Sequence, residues 1–295
     1  MNSGGYFHRT RAIWRFLLLI GTSLQAAFDF AARRLHGPIS LCCRAEWLHR
    51  SSIKALTRLG ITLEVQGPFP SVGLLVCNHL SYIDVLALSS IAPCVFVAKR
   101  QVRSWPLFGY LARFGGTTFV DRDQPSDAVR VNHELAEALS AGLVVVLFPE
   151  GTSSDGSTVL PFRSALFKPA VQLNQPISTA HISYAVEGGS AEQDVCYWGR
   201  MVFLVHLFRF LRLRSVNARV KFGRKASTFT DRKVAAVTTR KEILGMADSW
   251  DSENAMSISA SVYSPASGTI LSKRAQLGGI GLCARRAWGE GSGTS

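Results

Sequence analysis

Three short polar clusters each follow an apolar run. Asn78-His79-Leu80-Ser81-Tyr82-Ile83-Asp84 follows 72–77, Asp121-Arg122 follows 117–120, and Pro149-Glu150-Gly151-Thr152-Ser153-Ser154 follows 143–148. A carboxylate beside a histidine can hold the imidazole in one tautomer and stabilise the imidazolium, which equips the pair to abstract a proton. His79 has two readings: a general base, or a hydrogen-bonded residue closing a strand end. Asp84 also has two, and they are compatible. Ser81-x-x-Asp84 ahead of an apolar run matches a helix capping box, and a carboxylate near a helix N-terminus is favoured in its charged form. The chain has no G-x-S-x-G elbow and no P-loop, so as a base His79 would act with no serine nucleophile between it and the substrate. His133-Glu134-x-x-Glu137 lacks the second histidine of a zinc helix and reads as a helix surface. The six cysteines form no C-x-x-C pair and no metal-ligand spacing. They read as small buried hydrophobes in a reducing compartment, with no metal site.

The elements that must position these clusters are legible from texture. Short apolar runs bounded by Gly, Pro, Asn and Asp predict strands at 61–66, 72–77, 94–98, 117–120, 143–148, 177–184 and 217–222. Helical patterns lie between them at 82–91, 106–113, 126–141, 163–173 and 200–213, and a last helix is expected at 231–247. Strands alternating with helices predict an α/β fold, a mostly parallel central sheet flanked by helices. The run Leu143-Val144-Val145-Val146-Leu147-Phe148 is apolar on both faces, as a central strand must be. All three polar clusters then fall at carboxyl ends of strands, where open α/β sheets gather ligands, and so imply one shared site. An amphipathic helical pair, 11–31 and 41–59, precedes this 60–248 domain, broken at His36-Gly37-Pro38. From 249 to 295 the composition turns to Ser, Gly and Ala without periodicity, which predicts a disordered tail. Its Gly279-Ile280-Gly281-Leu282-Cys283-Ala284 matches a dinucleotide fingerprint formally, but no strand precedes it.

The charge is localised. Of a net +13, residues 1–60 carry +7 and residues 200–225 carry +8, leaving the central body nearly neutral. Both basic blocks interleave cations with large apolar residues, among them Trp14, Phe16, Phe28, Phe203, Phe208 and Phe210. Apolar and basic faces on one helix suit the surface of an anionic membrane. A nucleic-acid groove would place its basic residues on the globular body, so no nucleic acid is expected. Hydrophobic residues make up 47% and charged ones 18%, enough apolar surface for a sizeable core, and no stretch reaches 18 apolar residues without a charge, against a polytopic membrane protein. Between Arg15 and Asp29 lie 13 residues; as a helix they reach about 20 Å, short of the roughly 30 Å hydrocarbon core. A tilted, in-plane or re-entrant helix is expected in 1–59 rather than a span. A signal peptide is not expected, because no A-x-A site follows and basic residues continue.

Asn78-His79-x-x-x-x-Asp84, Gly116-x-x-Phe119-Val120-Asp121-Arg122 and Phe148-Pro149-Glu150-Gly151-Thr152 resemble the ordered blocks of the glycerolipid acyltransferases, the lysophosphatidic acid acyltransferase-like family. Gln175-Pro176-Ile177 sits where a fourth, weaker block is expected, and the likeness extends over roughly residues 60–247. The resemblance implies acyl transfer from acyl-CoA or acyl-carrier protein to a lysolipid hydroxyl, with no further cofactor, no metal and no covalent acyl-enzyme. It implies that His79 deprotonates the acceptor hydroxyl and Asp84 orients His79. It places Asn78, Arg122, Glu150, Gly151 and Thr152 around the substrate, with Arg122 on the acceptor phosphate. Arg122 also reads as an ion-pair partner of Asp121 or Asp123, and Glu150 as a turn residue. Where many members carry Arg after Glu-Gly-Thr, this chain has Ser153 and Ser154, and Arg163 is the expected substitute.

The expected function is therefore a membrane-associated lysolipid O-acyltransferase at the cytoplasmic face of the inner (plasma) membrane, making phosphatidic acid from 1-acylglycerol 3-phosphate. The alternatives are acylation of lyso-ornithine lipid or another lysophospholipid, to which the Tyr197-Trp198-Gly199 stretch is similar, and a catalytically silent membrane-binding relative.

Overall fold

The computed structural model describes residues 3–105, 108–121, 127–254 and 262–263. The chain divides into two units, Met1–Pro265 and Ala266–Ser295; the second lies outside the described residues, as do the glycine-rich stretch at 279–284 and most of the tail expected to be disordered.

Two helices open the chain, α1 (Ser3–Leu35) and α2 (Leu41–Leu59), which Ser40 caps by accepting the Cys43 amide and Gly60 ends in a left-handed turn. There follow β1 (Ile61–Gln66), β2 (Gly73–Cys77), α3 (Ile83–Ile91), β3 (Val95–Lys99), a 3-10 turn (Arg100–Ser104), α4 (Phe108–Phe114), β4 (Thr118–Val120), α5 (Asp127–Ser140) and β5 (Val144–Leu147). A second 3-10 turn (Ser164–Phe167) runs into α6 (Lys168–Gln172), then β6 (Ile177–Glu187), α7 (Ala191–Asp194), α8 (Phe203–Arg212), β7 (Ser215–Phe222), α9 (Arg232–Asn254) and the two-residue β8 (Val262–Tyr263).

The strand order is β4-β3-β5-β2-β6-β7-β1-β8. The five strands from β4 to β6 are mutually parallel. The β6–β7 pair is antiparallel and β7–β1 parallel, so the sheet is mixed at one side only. Strands β2 and β5 are buried at every position, which explains their unbroken apolar runs. The expected mostly parallel α/β sheet is thus the observed one. Several additions were invisible in the apolar pattern, α7 and the 3-10 turn at Arg100–Ser104 among them. The last helix continues beyond 248 to Asn254, and Val262–Tyr263 pairs antiparallel with Leu63 and Glu64 of β1. Of the cysteines, Cys77, Cys94 and Cys196 are buried as expected. Cys43 is exposed and Cys42 only half-buried, because the start of α2 carries them to the surface.

The N-terminal helices share the core of the sheet. Ala12, Leu19 and Ala26 recur every seventh residue on the inward face of α1, in one cluster with Trp47, Leu48 and Leu56 of α2 and Leu75, Cys77 and Ile182 of the sheet. The Trp47 indole N–H donates to the Ala26 carbonyl at 3.0 Å, and its ring lies edge-on to Phe30 and Phe114. Trp47→Ala should cost about 3–5 kcal/mol by leaving a cavity. In urea the whole unit should unfold in one transition at a lower midpoint; unchanged unfolding of the sheet would separate the helical pair from it.

Candidate active site

Strand β2 delivers the first cluster. Asn78, expected to touch substrate, is 3% exposed, and its carboxamide serves the fold. Its Nδ2 donates to the Ile182 carbonyl at 2.9 Å and its Oδ1 accepts the Ile182 amide at 2.8 Å. The side chain thereby continues the β2–β6 ladder one step past Cys77. Its oxygen and one of its two N–H groups are thus engaged by the Ile182 backbone, which gives the carboxamide a structural role in joining β2 to β6.

His79 and Asp84 meet as expected. His79 Nδ1 lies 2.7 Å from Asp84 Oδ2, which also accepts the amides of Leu80 at 2.7 Å and Ser81 at 3.0 Å. Asp84 has no solvent exposure, whereas the His79 side chain is 23% exposed. The carboxylate thus makes the backward half of a capping box from the first turn of α3. The forward half is missing, since Ser81 Oγ has no partner. The imidazole stacks on Phe148, ring centroids 4.1 Å apart. With Nδ1 turned to Asp84, Nε2 is the nitrogen able to meet a substrate.

The third cluster comes from β5. Glu150 Oε1 accepts the His79 amide at 2.9 Å and Oε2 the Leu160 amide at 3.2 Å. Glu150 is buried, and both of its oxygens hold loop backbone. Gly151 adopts φ +74°, a left-handed turn that favours glycine. The Ser154 amide donates to the His79 carbonyl at 2.9 Å, and Ser153 Oγ donates to the Tyr197 carbonyl. Asp121 accepts Arg100 at 2.6 Å, while Arg122 lies outside the described residues. Arg163 is exposed; its amide donates to the Pro149 carbonyl, but its side chain does not line the cavity beside His79.

That cavity, of about 340 Å³, runs among α1, α2, α3, β3 and α4. His79, Gly151, Thr152 and Ser153 line it together with the apolar Leu19, Ala26, Trp47, Leu48 and Leu111. Among the described lining residues Lys99 is the one lysine or arginine. Sequence reasoning missed Lys99, which ends β3, and the ring cluster of Tyr82, Trp105, Phe108 and Tyr197; the position of Lys99 at a strand's carboxyl end was the available signal. Among the described residues no group of three His, Cys, Asp or Glu side chains is placed to hold a metal ion.

Burial lifts the Glu150 carboxyl from 4.5 to about 7, against the amides of His79 and Leu160, which lower it. The folded protein keeps this proton where the unfolded chain has lost it. The resulting stabilisation is complete below the unfolded value, about 4.5, and disappears as pH rises through about 7. Stability measured across that interval should therefore fall less steeply in Glu150→Gln than in the parent. Parallel pH profiles for the two proteins would remove Glu150 as the group responsible.

A family model described as Acyltransferase matches residues 62–183. The chain is 37% identical over 192 residues to the lyso-ornithine lipid O-acyltransferase of Rhizobium meliloti (strain 1021), covering 60% of this chain and 66% of that protein, about two thirds of its length. It is 33% identical over 171 residues to the 1-acyl-sn-glycerol-3-phosphate acyltransferase of Neisseria gonorrhoeae, covering 57% of this chain and 67% of that one. The crystal structure of the 1-acyl-sn-glycerophosphate acyltransferase of Thermotoga maritima matches with a TM-score of 0.59 at 18% identity, over 81% of this chain and 95% of that chain, which shows a common fold. From sequence kinship and fold together, the chain belongs to the glycerolipid acyltransferase family and is an acyltransferase.

Proposed function

We propose that the protein transfers an acyl group from acyl-CoA or acyl-carrier protein to the free hydroxyl of a lysolipid. The observation that carries this reading is the His79–Asp84 pair opening into an apolar cavity. His79 Nε2 takes the proton of the acceptor hydroxyl as its oxygen bonds to the thioester carbonyl carbon. The C–S bond then breaks, and the departing thiolate takes the proton from the imidazolium. Asp84 holds the tautomer throughout. Each methylene of an acyl chain placed in the cavity contributes about 0.8 kcal/mol, so its apolar walls favour a long chain.

For the acceptor, one observation favours lyso-ornithine lipid. Ser153 stands where an arginine would meet a phosphate, and its hydroxyl is engaged by Tyr197. An ornithine head group carries one ammonium and one carboxylate and needs less compensating charge than a phosphate monoester. The second reading, 1-acylglycerol 3-phosphate, rests on Lys99 together with Arg122.

An anionic membrane surface, at the cytoplasmic face where both thioester donors are found, is the proposed setting. Ile13, Trp14, Leu17, Leu24 and Phe28 are exposed on α1, and Leu204, Val205 and Phe208 on α8. The two helices touch through Phe16 and Phe208, 5.1 Å apart. Arg9–Leu35 is long and apolar enough to cross a bilayer by length and composition. Its Arg15, however, donates to the Leu213 carbonyl at 2.6 Å, and Arg58 to Thr22 at 2.8 Å. These contacts hold α1 against the body and support an in-plane helix.

His79→Ala should lower turnover by roughly 10²–10⁴, the usual loss of a general base. Activity within threefold of the parent, about 0.7 kcal/mol of barrier, would sink the mechanism. Given labelled acyl donor and equal amounts of both lysolipids, the parent should acylate lyso-ornithine lipid faster; faster phosphatidic acid formation selects the second reading. Leu204→Glu/Val205→Glu should reduce binding to anionic vesicles at least about tenfold, given roughly 1.5–3 kcal/mol per buried aliphatic side chain. Undiminished binding would remove α8 from the membrane surface.

A further inference from the structure

Asp84 has a fourth partner, delivered from far along the chain. Tyr184 of β6 donates its phenolic hydrogen to Asp84 Oδ1 at 2.5 Å. The carboxylate is thereby divided: Oδ2 receives His79, Leu80 and Ser81, and Oδ1 receives Tyr184. Both residues are buried, Asp84 at 0% and Tyr184 at 9% exposure. The same strand is tied to the site two residues earlier, where the Ile182 backbone takes the Asn78 carboxamide. Strand β6 therefore fixes the residue before the base and also the far oxygen of the group that orients the base.

We infer that Tyr184 is a positioning residue for the reaction: its hydroxyl clamps Asp84 and, by drawing charge toward Oδ1, sets how strongly Oδ2 holds a proton on His79. Burial, followed by the charge of Asp84, pushes the Tyr184 phenol well above its ordinary range. It remains a neutral donor throughout the working pH. Without that donor the carboxylate's charge concentrates on Oδ2, and the imidazolium form of His79 is favoured. An orphaned Oδ1 in a site without solvent also frees the carboxylate to turn away from the imidazole. This inference rests on His79 acting as the base.

The test is the pH dependence of kcat and kcat/KM for acyl transfer by the full chain in lipid vesicles. Tyr184→Phe should lower kcat about tenfold with both KM values little changed, and should move the acid limb upward by about half a pH unit. 3-Fluorotyrosine placed at position 184 alone keeps the shape and is a stronger donor, so it should move the limb downward. A merely structural role would lower the unfolding midpoint without moving the limb in opposite directions. If Tyr184→Phe does not fold, the fluorotyrosine protein decides. An unmoved acid limb there, while His79→Ala is inactive, overturns the inference and leaves the base in place. Activity retained in His79→Ala overturns both.

Discussion

A carboxylate with no exposure to water has to find its hydrogen-bond donors within the protein, and Asp84 draws the site together because it does so. Desolvating a charge is costly unless it is paired and hydrogen-bonded. The donors come from three places: the imidazole five residues earlier, two amides of the reversing chain before α3, and a phenol on a strand 100 residues on in sequence. Each donor restricts a different part of the fold. The amides force the chain to curl at Leu80 and Ser81, the imidazole takes one rotamer, and β6 must lie beside β2 in its observed register, Cys77 opposite Ala180.

Glu150 complements this from the other side. Its carboxyl accepts the backbone amide of His79 and ties the base to the loop after β5. One acid thus orients the ring of His79 and the other its main chain, and Phe148 stacks on the ring between them. The two differ in what they offer a reaction. Asp84 is tied directly to the imidazole, whereas Glu150 is spent on backbone amides and is lifted toward neutrality by burial.

Much of this was readable in the chain, for reasons that also explain the gaps. The strands were legible because short apolar or alternating runs are bounded by turn residues, and β2 and β5 also because they are buried on both faces; β1 falls at Ile61–Gln66, as expected, and β2 and β5 shift by a residue at their ends. The His79–Asp84 pair was legible because five residues of spacing bring both to one strand-to-helix turn. The use of Asn78 was not, because an amide pairing with backbone and an amide facing a ligand look alike in sequence. Tyr184 was hidden by its own strand, whose alternation shows which residues lie on a common face but not which carboxylate that face meets. Arg163 was expected at the site as the substitute for a missing arginine, yet the chain leading to it is anchored at Leu160 by Glu150 and at Arg163 by Pro149, and Arg163 is exposed and not among the residues lining the cavity.

The paired helices at the N-terminus gain a structural reason from the cavity. Leu19, Thr22, Ser23 and Ala26 of α1 form one of its walls, while Ile13, Leu17, Leu24 and Phe28 of the same helix are exposed. Small residues on the inward face let α2 approach closely enough for Trp47 to reach the Ala26 carbonyl. The helix is apolar on both sides because each side meets apolar surroundings, the cavity within and, in the proposed setting, lipid without. A lipid substrate then has a single helix between its resting medium and the apolar space beside His79. The basic residues fit the same geometry. Arg15 and Arg58 anchor α1 to the body from its polar edge, leaving the apolar outer face free of charge along the stretch between Arg15 and Asp29. Arg9–Leu35 has the length to cross a bilayer, but these hydrogen bonds tie it to the body, which supports the in-plane helix proposed above.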